Sequence, residues 1–279
     1  MTGRPFLLLA GEYHATMPAV FANERWQHTM TARRLVDNGD GTIRRDNRPG
    51  ERLRGLIYYA SVDNDDVRRH NLRLISSMKL PCWPDPDWLL TLDDRHLVMN
   101  MCRKAGLTTD PVQIRRMSDE PFDLPRPFVL KTGNMHQGQG KHLIGHDDAL
   151  PEWGGLATAE PFYEGVSCRV LCISEDDGSA HAAWGIRYDN PDTWIKNAAG
   201  AEQSLWADAP GDLYGHAARV HAHFGLQISG IDYVVDAKTG TPHFLEYNQF
   251  PGLGMNEAIE EAARAVFARR MADVERAAG

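Results

Sequence analysis

The chain has 279 residues, 42% of them hydrophobic, enough to bury a sizeable core in one large domain or in two or three small lobes. Its net charge of −8 argues against a nucleic-acid-binding surface, and no run of about 18 apolar residues is present to span a membrane. Any anion that binds must therefore be met by a local cluster of cations.

The N-terminal run MTGRPFLLLAGEYHAT carries one arginine and a very short apolar stretch, so it reads as a first buried strand over residues 5–10 rather than as an export signal. GLIYYA (55–60) predicts a second buried strand, and VRRHNLRLISSM (67–78) a helix. Pro81, Pro84 and Pro86 interrupt the pattern and predict a boundary or linker near 81–90. Asp93 is expected to open the helix DDRHLVMNMCRKAG, which Gly106 would cap. A strand through Lys131, a glycine-rich loop and a strand at 142–144 follow. From Glu160 the pattern is mostly strand, with EPFYEG, CRVLCI and HAAWGIRY. A helix at 213–224, the strands ISGIDYVV and PHFLEYN, and the helix NEAIEEAARAVFARRMADVERA close the chain. Strands of both kinds with segregated helices predict α+β lobes rather than one doubly wound sheet. Cys82, Cys102, Cys168 and Cys172 lack metal-type spacing, which with no export signal implies reduced thiols and a cytoplasmic location.

Two stretches carry chemistry. In HFLEYNQFPGLG (243–254), the period of two in a strand puts Glu246 and Asn248 on one face before a Pro-Gly turn. The strand SGIDYVV lies just upstream, joined by the turn AKTGT, so antiparallel pairing would set Asp232 beside them. Three hard oxygen donors suit Mg²⁺, which usually bridges to substrate phosphates. The plainer alternative is an edge hairpin with solvated acids. In the second stretch, Gly133, Gly138 and Gly140 free a hairpin loop for close backbone approach to an anion, and Lys131 and Lys141 frame it with charge. The spacing fits neither the P-loop nor the dinucleotide fingerprint, and taken alone the loop also fits a flexible surface hairpin.

Taken in order, VLKTGNMHQGQGKHLI, AEPFYEG and GIDYVV…FLEYNQFPG resemble the ATP-grasp superfamily, and within it the RimK-like carboxylate–amine ligases and the synapsin ATP-binding domain, over residues 93–254. The resemblance implies an α+β ATP-grasp fold in which two α+β lobes clamp ATP beside a smaller N-terminal α/β lobe. The lobes would be residues 1–90 (N-terminal), 91–158 (small lobe with the glycine-rich lid, including Gly138 and Gly140) and 159–279 (large lobe with the metal-binding strands). It makes Lys131 the cation on the α- and β-phosphates, with Lys141 beside it. Glu160 and Phe162 become the adenine hinge, and Glu164 a ribose ligand. Arg187 and Asn197 fall at the reacting phosphate, and Asp232, Glu246 and Asn248 on the Mg²⁺ ligands.

The sequence departs from the family pattern in three places. An Asp-Lys pair at a helix start reads Asp94-Arg95, so Arg95 takes the place of a phosphate-binding lysine with different geometry. The Asp-x-Arg after the hinge reads Ser167-Cys168-Arg169, keeping the arginine and losing the acid. The basic residue near Asn197 is Lys196, directly adjacent to it. The activity implied is ligation of a carboxylate to an amine through an acylphosphate, with ATP and Mg²⁺. A small-molecule kinase and a non-catalytic ATP-binding module are the alternatives. Arg187, Lys196 and Asn197 would be catalytic, with His136 the best candidate for a catalytic histidine. Trp194 and Trp206 would pack over a substrate or at a lobe interface. Small-molecule or peptide carboxylates and amines are the expected partners, without nucleic acid or membrane, and a homo-oligomer is compatible with the sequence.

Overall fold

The computed structural model describes residues 5–10, 25–30, 32–60, 65–116, 122–133, 140–174, 181–197 and 200–279. The chain begins with β1 (Phe6–Ala10) and β2 (Trp26–Thr29), then a small hairpin of β3 (Leu35–Asp37) and β4 (Ile43–Arg45). Next come β5 (Gly55–Tyr59), helix α1 (Asp65–Ser77) and β6 (Cys82–Trp83). β2, β1, β5 and β6 form a parallel sheet in that order. Its inner strands FLLLA and GLIYY are buried throughout, because both faces of a parallel sheet are covered. Leu7, Leu9, Leu56 and Tyr58 pack with α1, and Phe6, Leu8, Ile57 and Tyr59 pack on the opposite face.

The proline segment expected as a linker is instead ordered into β6 and α2 (Pro86–Leu92). Asp85 caps α2 by accepting from the backbone N–H of Asp87 and Trp88, and Pro86 sits at the first turn, where its missing N–H costs nothing. Asp93 ends this helix rather than opening the next; Asp94 is the N-cap of α3 (Arg95–Lys104), accepting from His96 and Leu97 N–H. Asp93 takes Arg68 and Arg69 as partners.

A four-stranded antiparallel sheet follows, β7 (Gln113–Arg116), β8 (Phe128–Thr132), β9 (Lys141–Ile144) and β10 (Leu156–Pro161), in the order β7-β10-β8-β9. The strand expected over EPFYEG stops at Pro161, leaving 162–164 as the link to the last sheet. That sheet is antiparallel, with order β13-β12-β11-β14-β15. It comprises β11 (Gly165–Ser174), β12 (His181–Asp189), β13 (Glu202–Leu205), β14 (Ile228–Asp236) and β15 (Pro242–Asn248), with α4 (Gly211–Phe224) inserted before β14.

One face of the last sheet packs on α4 through Cys168, Val170, Cys172, Ile231 and Tyr233. The other, through Leu171, Ile173 and Ile186, shares a core with the first sheet and with the C-terminal helix α5 (Glu257–Ala277), which contributes Ile259, Val266, Phe267 and Val274. α5 thus joins the first and last sheets. No helix among the described residues is long and apolar enough to cross a membrane.

The pairing of β14 with β15 slips once. Asp232 lies opposite Glu246 and Tyr233 opposite Phe244, leaving Leu245 as a bulge. The slip keeps Phe244 and Tyr247 together in the α4-side core while Glu246 and Asn248 face the opposite way.

Candidate active site

The second and third sheets enclose a cleft of about 290 Å³. Lys131 (β8), Lys141 (β9) and Glu160 (β10) enter from the second sheet, and Asp232 (β14) and Glu246 (β15) from the third. Phe162 and Glu164 line it from the link between the sheets, and Lys196 and Asn197 from the segment after β12. Arg95 and Asn248 line a separate cavity of about 90 Å³ that adjoins the cleft, with Leu245 and Glu246 common to both.

The register sets which side chains meet. Cross-strand partners share a face of a sheet, and Arg169 lies opposite Asp232. The Arg169 Nε and Nη2 donate to the Asp232 Oδ1 and Oδ2 at 2.6 and 2.9 Å, a bidentate pair. Its side chain crosses Gly230, where an added Cβ would lie 2.9 Å from Arg169 Cδ and 2.8 Å from Pro251 Cβ, so this position excludes a side chain. Pro251, in the Pro-Gly turn, is held from the first sheet by the Tyr59 hydroxyl, which donates to its carbonyl at 3.1 Å.

Arg187, expected at the reacting phosphate, is not brought to the cleft. It lies opposite Cys168, one position from Arg169, and so projects from the other face of the sheet and is exposed. Arg169 is the arginine that the fold delivers. Lys196 Nζ donates to the Asn190 carbonyl at 2.5 Å, bracing its own loop at the cleft wall. Gly138 and His136 lie outside the described residues. Gly140 has φ of 65°, a left-handed conformation that favours glycine, and its carbonyl accepts from the Thr132 N–H at 2.8 Å.

The electrostatics are those of an anion site. Lys131 and Glu160 form a buried ion pair, and Arg95 Nη2 lies 3.2 Å from Glu246 Oε1. Burial alone would push the Glu246 carboxyl up, but Arg95, Lys141, Lys131 and Arg169 together overcome it and hold its pKa at about 2. Burial, reinforced by the neighbouring Lys131, lowers the Lys141 ammonium, and Glu246 raises the Arg95 guanidinium. Among the described residues four cations face three carboxylates, Glu160, Asp232 and Glu246, an excess of positive charge that suits an anionic ligand.

The donors also fit Mg²⁺. Asp232 and Glu246 are direct cross-strand neighbours, and Asn248, which carries a carboxamide oxygen, follows on the same face. Each Asp232 oxygen engaged by Arg169 keeps a second lone pair. Two carboxylates and one carboxamide form a hard-oxygen set that leaves coordination positions for water and phosphate oxygens. Among the described residues there is no group of three or more His, Cys, Asp and Glu that could hold a metal, so the carboxamide is needed to complete the set.

The back of the link was not foreseen from sequence. Tyr163 stacks on His243 with ring centroids 3.5 Å apart, and His243 Nδ1 lies 3.2 Å from Asp110. The link between the sheets is thus fastened to both. Phe162 meets Trp194 edge-on at 6.1 Å on the cleft wall, while Trp206 packs against the α4-side core.

No protein-family model and no curated protein matches the chain. Solved structures do match, nearly end to end. The D-alanine–D-alanine ligase of Bacillus anthracis superposes with a TM-score of 0.65 at 14% identity, over 99% of this chain and 97% of that one. The D-alanyl-alanine synthetase A of Vibrio cholerae gives 0.68 at 12% identity, over 98% of both chains. The ATP-grasp ligase PsnB, solved with minimal precursor, Mg and ADP, gives 0.62 at 11% identity, over 96% of this chain and 97% of that one. The chain has the ATP-grasp fold. At such identities the likeness carries architecture alone. In the ATP-grasp arrangement seen here, the cleft between the second and third sheets is flanked by the small cavity at the end of β15.

Proposed function

We propose that the chain is an ATP-dependent carboxylate–amine ligase that forms an amide or peptide bond through an acylphosphate and releases ADP and phosphate. The observation that carries this reading is the meeting, at Glu246, of a cation-rich cleft with a second polar cavity. A module that only holds nucleotide needs the first of these and not the second. Structural neighbours that are ligases, one of them solved with Mg and ADP, support it.

In this reading residues 91–158 and 159–279 are the lobes that clamp ATP, and residues 1–90 the N-terminal lobe. Lys131 and Lys141 face the α- and β-phosphates, Glu160 and Phe162 the adenine, and the exposed Glu164 the ribose. Arg169 takes the role first expected of Arg187, with Arg95 opposite and Lys196 and Asn197 on the far wall. Asp232, Glu246 and Asn248 would hold Mg²⁺, which when bound neutralises phosphate oxygens. The substrate carboxylate oxygen bonds to the γ-phosphorus as the bond from that phosphorus to the bridging oxygen breaks, and ADP leaves with the electron pair. The amine nitrogen then bonds to the acyl carbon, phosphate departs, and the amine proton is lost to solvent. The protein's part is positioning and charge compensation, the main requirements of phosphoryl transfer.

The test is trapping with hydroxylamine: enzyme, ATP, Mg²⁺ and a pool of carboxylic acids should give a hydroxamate together with ADP. AMP and pyrophosphate would overturn the chemistry. A phosphorylated alcohol without hydroxamate would make the protein a kinase, and nucleotide binding without ADP release a binding module.

A further inference from the structure

An arginine side chain has many rotamers, so one that serves a transient charge has to be held along its whole length. The bidentate contact with Asp232 fixes the tip of Arg169. From β12, the Tyr188 ring lies 5.8 Å from the guanidinium carbon, a cation–π contact. The stem runs over Gly230, where a Cβ would lie 2.9 Å from Arg169 Cδ, 3.2 Å from its Nε and 2.8 Å from Pro251 Cβ. Pro251 and the arginine stem thus share the space over one glycine, and the place of Pro251 limits where the stem can go.

Pro251 is in turn placed from the first sheet. Tyr59, fully buried at the end of β5, donates its hydroxyl to the Pro251 carbonyl at 3.1 Å. Its ring sits in an aromatic box, edge-on to Phe267 of α5 at 5.0 Å and to Phe250 at 5.3 Å, and stacked with Trp83 of β6 at 6.4 Å. A phenylalanine would fill that box equally well, so packing does not call for the hydroxyl; what the hydroxyl adds is a grip on the turn. Burial raises the Tyr59 hydroxyl well above the ordinary phenol range and the Arg169 guanidinium opposes that shift, so the two groups lie within each other's field. Tyr59 itself lines neither the cleft nor the small cavity.

We propose that Tyr59 is a positioning residue for Arg169: by holding Pro251 over Gly230 it confines the arginine stem and fixes the guanidinium before nucleotide arrives. Its effect on phosphoryl transfer rests on the ligase reading above; its effect on Arg169 does not. A preorganised guanidinium needs no reorientation as charge develops, so the benefit falls on turnover rather than on ATP binding.

The experiment uses Tyr59→Phe, which keeps the ring and deletes the hydroxyl, in the full chain. Without nucleotide, NMR follows the Arg169 Nε–H signal, assigned by its absence from Arg169→Lys. That proton, bonded to Asp232, should exchange with solvent about tenfold faster in Tyr59→Phe than in wild type. With MgATP, the carboxylic acid pool and hydroxylamine, kcat for ADP release should fall about tenfold while KM for MgATP stays within about twofold. Arg169→Lys should lose about a hundredfold, and adding Tyr59→Phe to it should cost no more than about twofold further. If Tyr59→Phe does not fold, Pro251→Gly, which removes the ring beside the stem, should accelerate the same exchange. A Tyr59 that serves only the fold would lower the unfolding temperature and leave both the exchange and kcat unchanged, which would overturn the proposal, as would fully additive losses in the double variant. Absence of ADP release by wild type would remove the ligase reading, and the exchange rates would still decide whether Tyr59 holds Arg169.

Discussion

Two arginine–glutamate pairs of similar burial behave in opposite ways. Arg45 and Glu51 close the β3–β4 hairpin with side chains 12% and 7% exposed, and Arg95 and Glu246 meet at the cleft with 13% and 22%. Glu51 accepts from the Arg45 backbone N–H at 2.8 Å and from its guanidinium, which also donates to Gln27 Oε1 at 2.7 Å. That pair is complete without any ligand. Among the described residues Glu246 has one ion-pair contact, at 3.2 Å, and is held in its charged form by the field of four cations, with open space on both sides. Saturated hydrogen bonding marks an ion pair that serves the fold, and an unsaturated pair between two cavities marks one that serves a ligand.

Substitutions should separate the two. Glu246→Gln should lower ADP release by about a thousandfold or more, the largest effect, since both charge compensation and metal binding depend on it. Full activity in that variant would break the comparison. Glu51→Gln should instead cost about 3 kcal/mol in urea unfolding, by leaving Arg45 without its partner, with ADP release per folded molecule unchanged within about twofold. Removing both members of the Lys131–Glu160 pair, as Lys131→Met with Glu160→Gln, avoids stranding a buried charge. It should weaken ATP binding about a hundredfold by titration with little change in stability.

The pH dependence sharpens the contrast further. Because the folded Glu246 carboxyl sits at about 2, below its ordinary 4.5, its contribution to stability is present above about pH 4.5 and is lost as pH falls toward 2. The stability gap between wild type and Glu246→Gln, on the order of 2 kcal/mol at neutral pH, should therefore close across that window in urea titrations. A gap that persists at pH 2 would show that the cation field is not its source. Gly230→Ala should cost about 1–2 kcal/mol through the clash with Pro251 and the displaced Arg169, with a smaller loss of activity than Glu246→Gln.

What could be read in the sequence was local. Alternation placed Glu246 and Asn248 on one face, and the short turn before β15 brought Asp232 across from them. Choosing between Arg169 and Arg187 was beyond such reasoning, because the two differ by one step of the β11–β12 register and a single step reverses the face. The Asp85-Pro86 start of α2 was legible as a cap followed by a first-turn proline, but three prolines in a row of six residues outweighed it. Contacts such as Tyr163 on His243, or α5 between the first and last sheets, join residues far apart in sequence and leave no local trace.

The bulge at Leu245 makes β15 a strand of two phases. Before it, even-numbered positions point to the core, as Phe244 does; after it, odd-numbered ones do, as Tyr247 does. Deleting Leu245 would leave Phe244, Glu246, Tyr247 and Asn248 alternating between core and cleft as consecutive residues of a regular strand do, so the Glu246 and Asn248 side chains would keep their face. In the turn at 237–241, likewise, added residues lengthen a loop without disturbing either phase. Length variation should therefore be tolerated in the turn and at Leu245, whereas one residue added or removed between Glu246 and Asn248 would reverse the face of the ligand downstream of it.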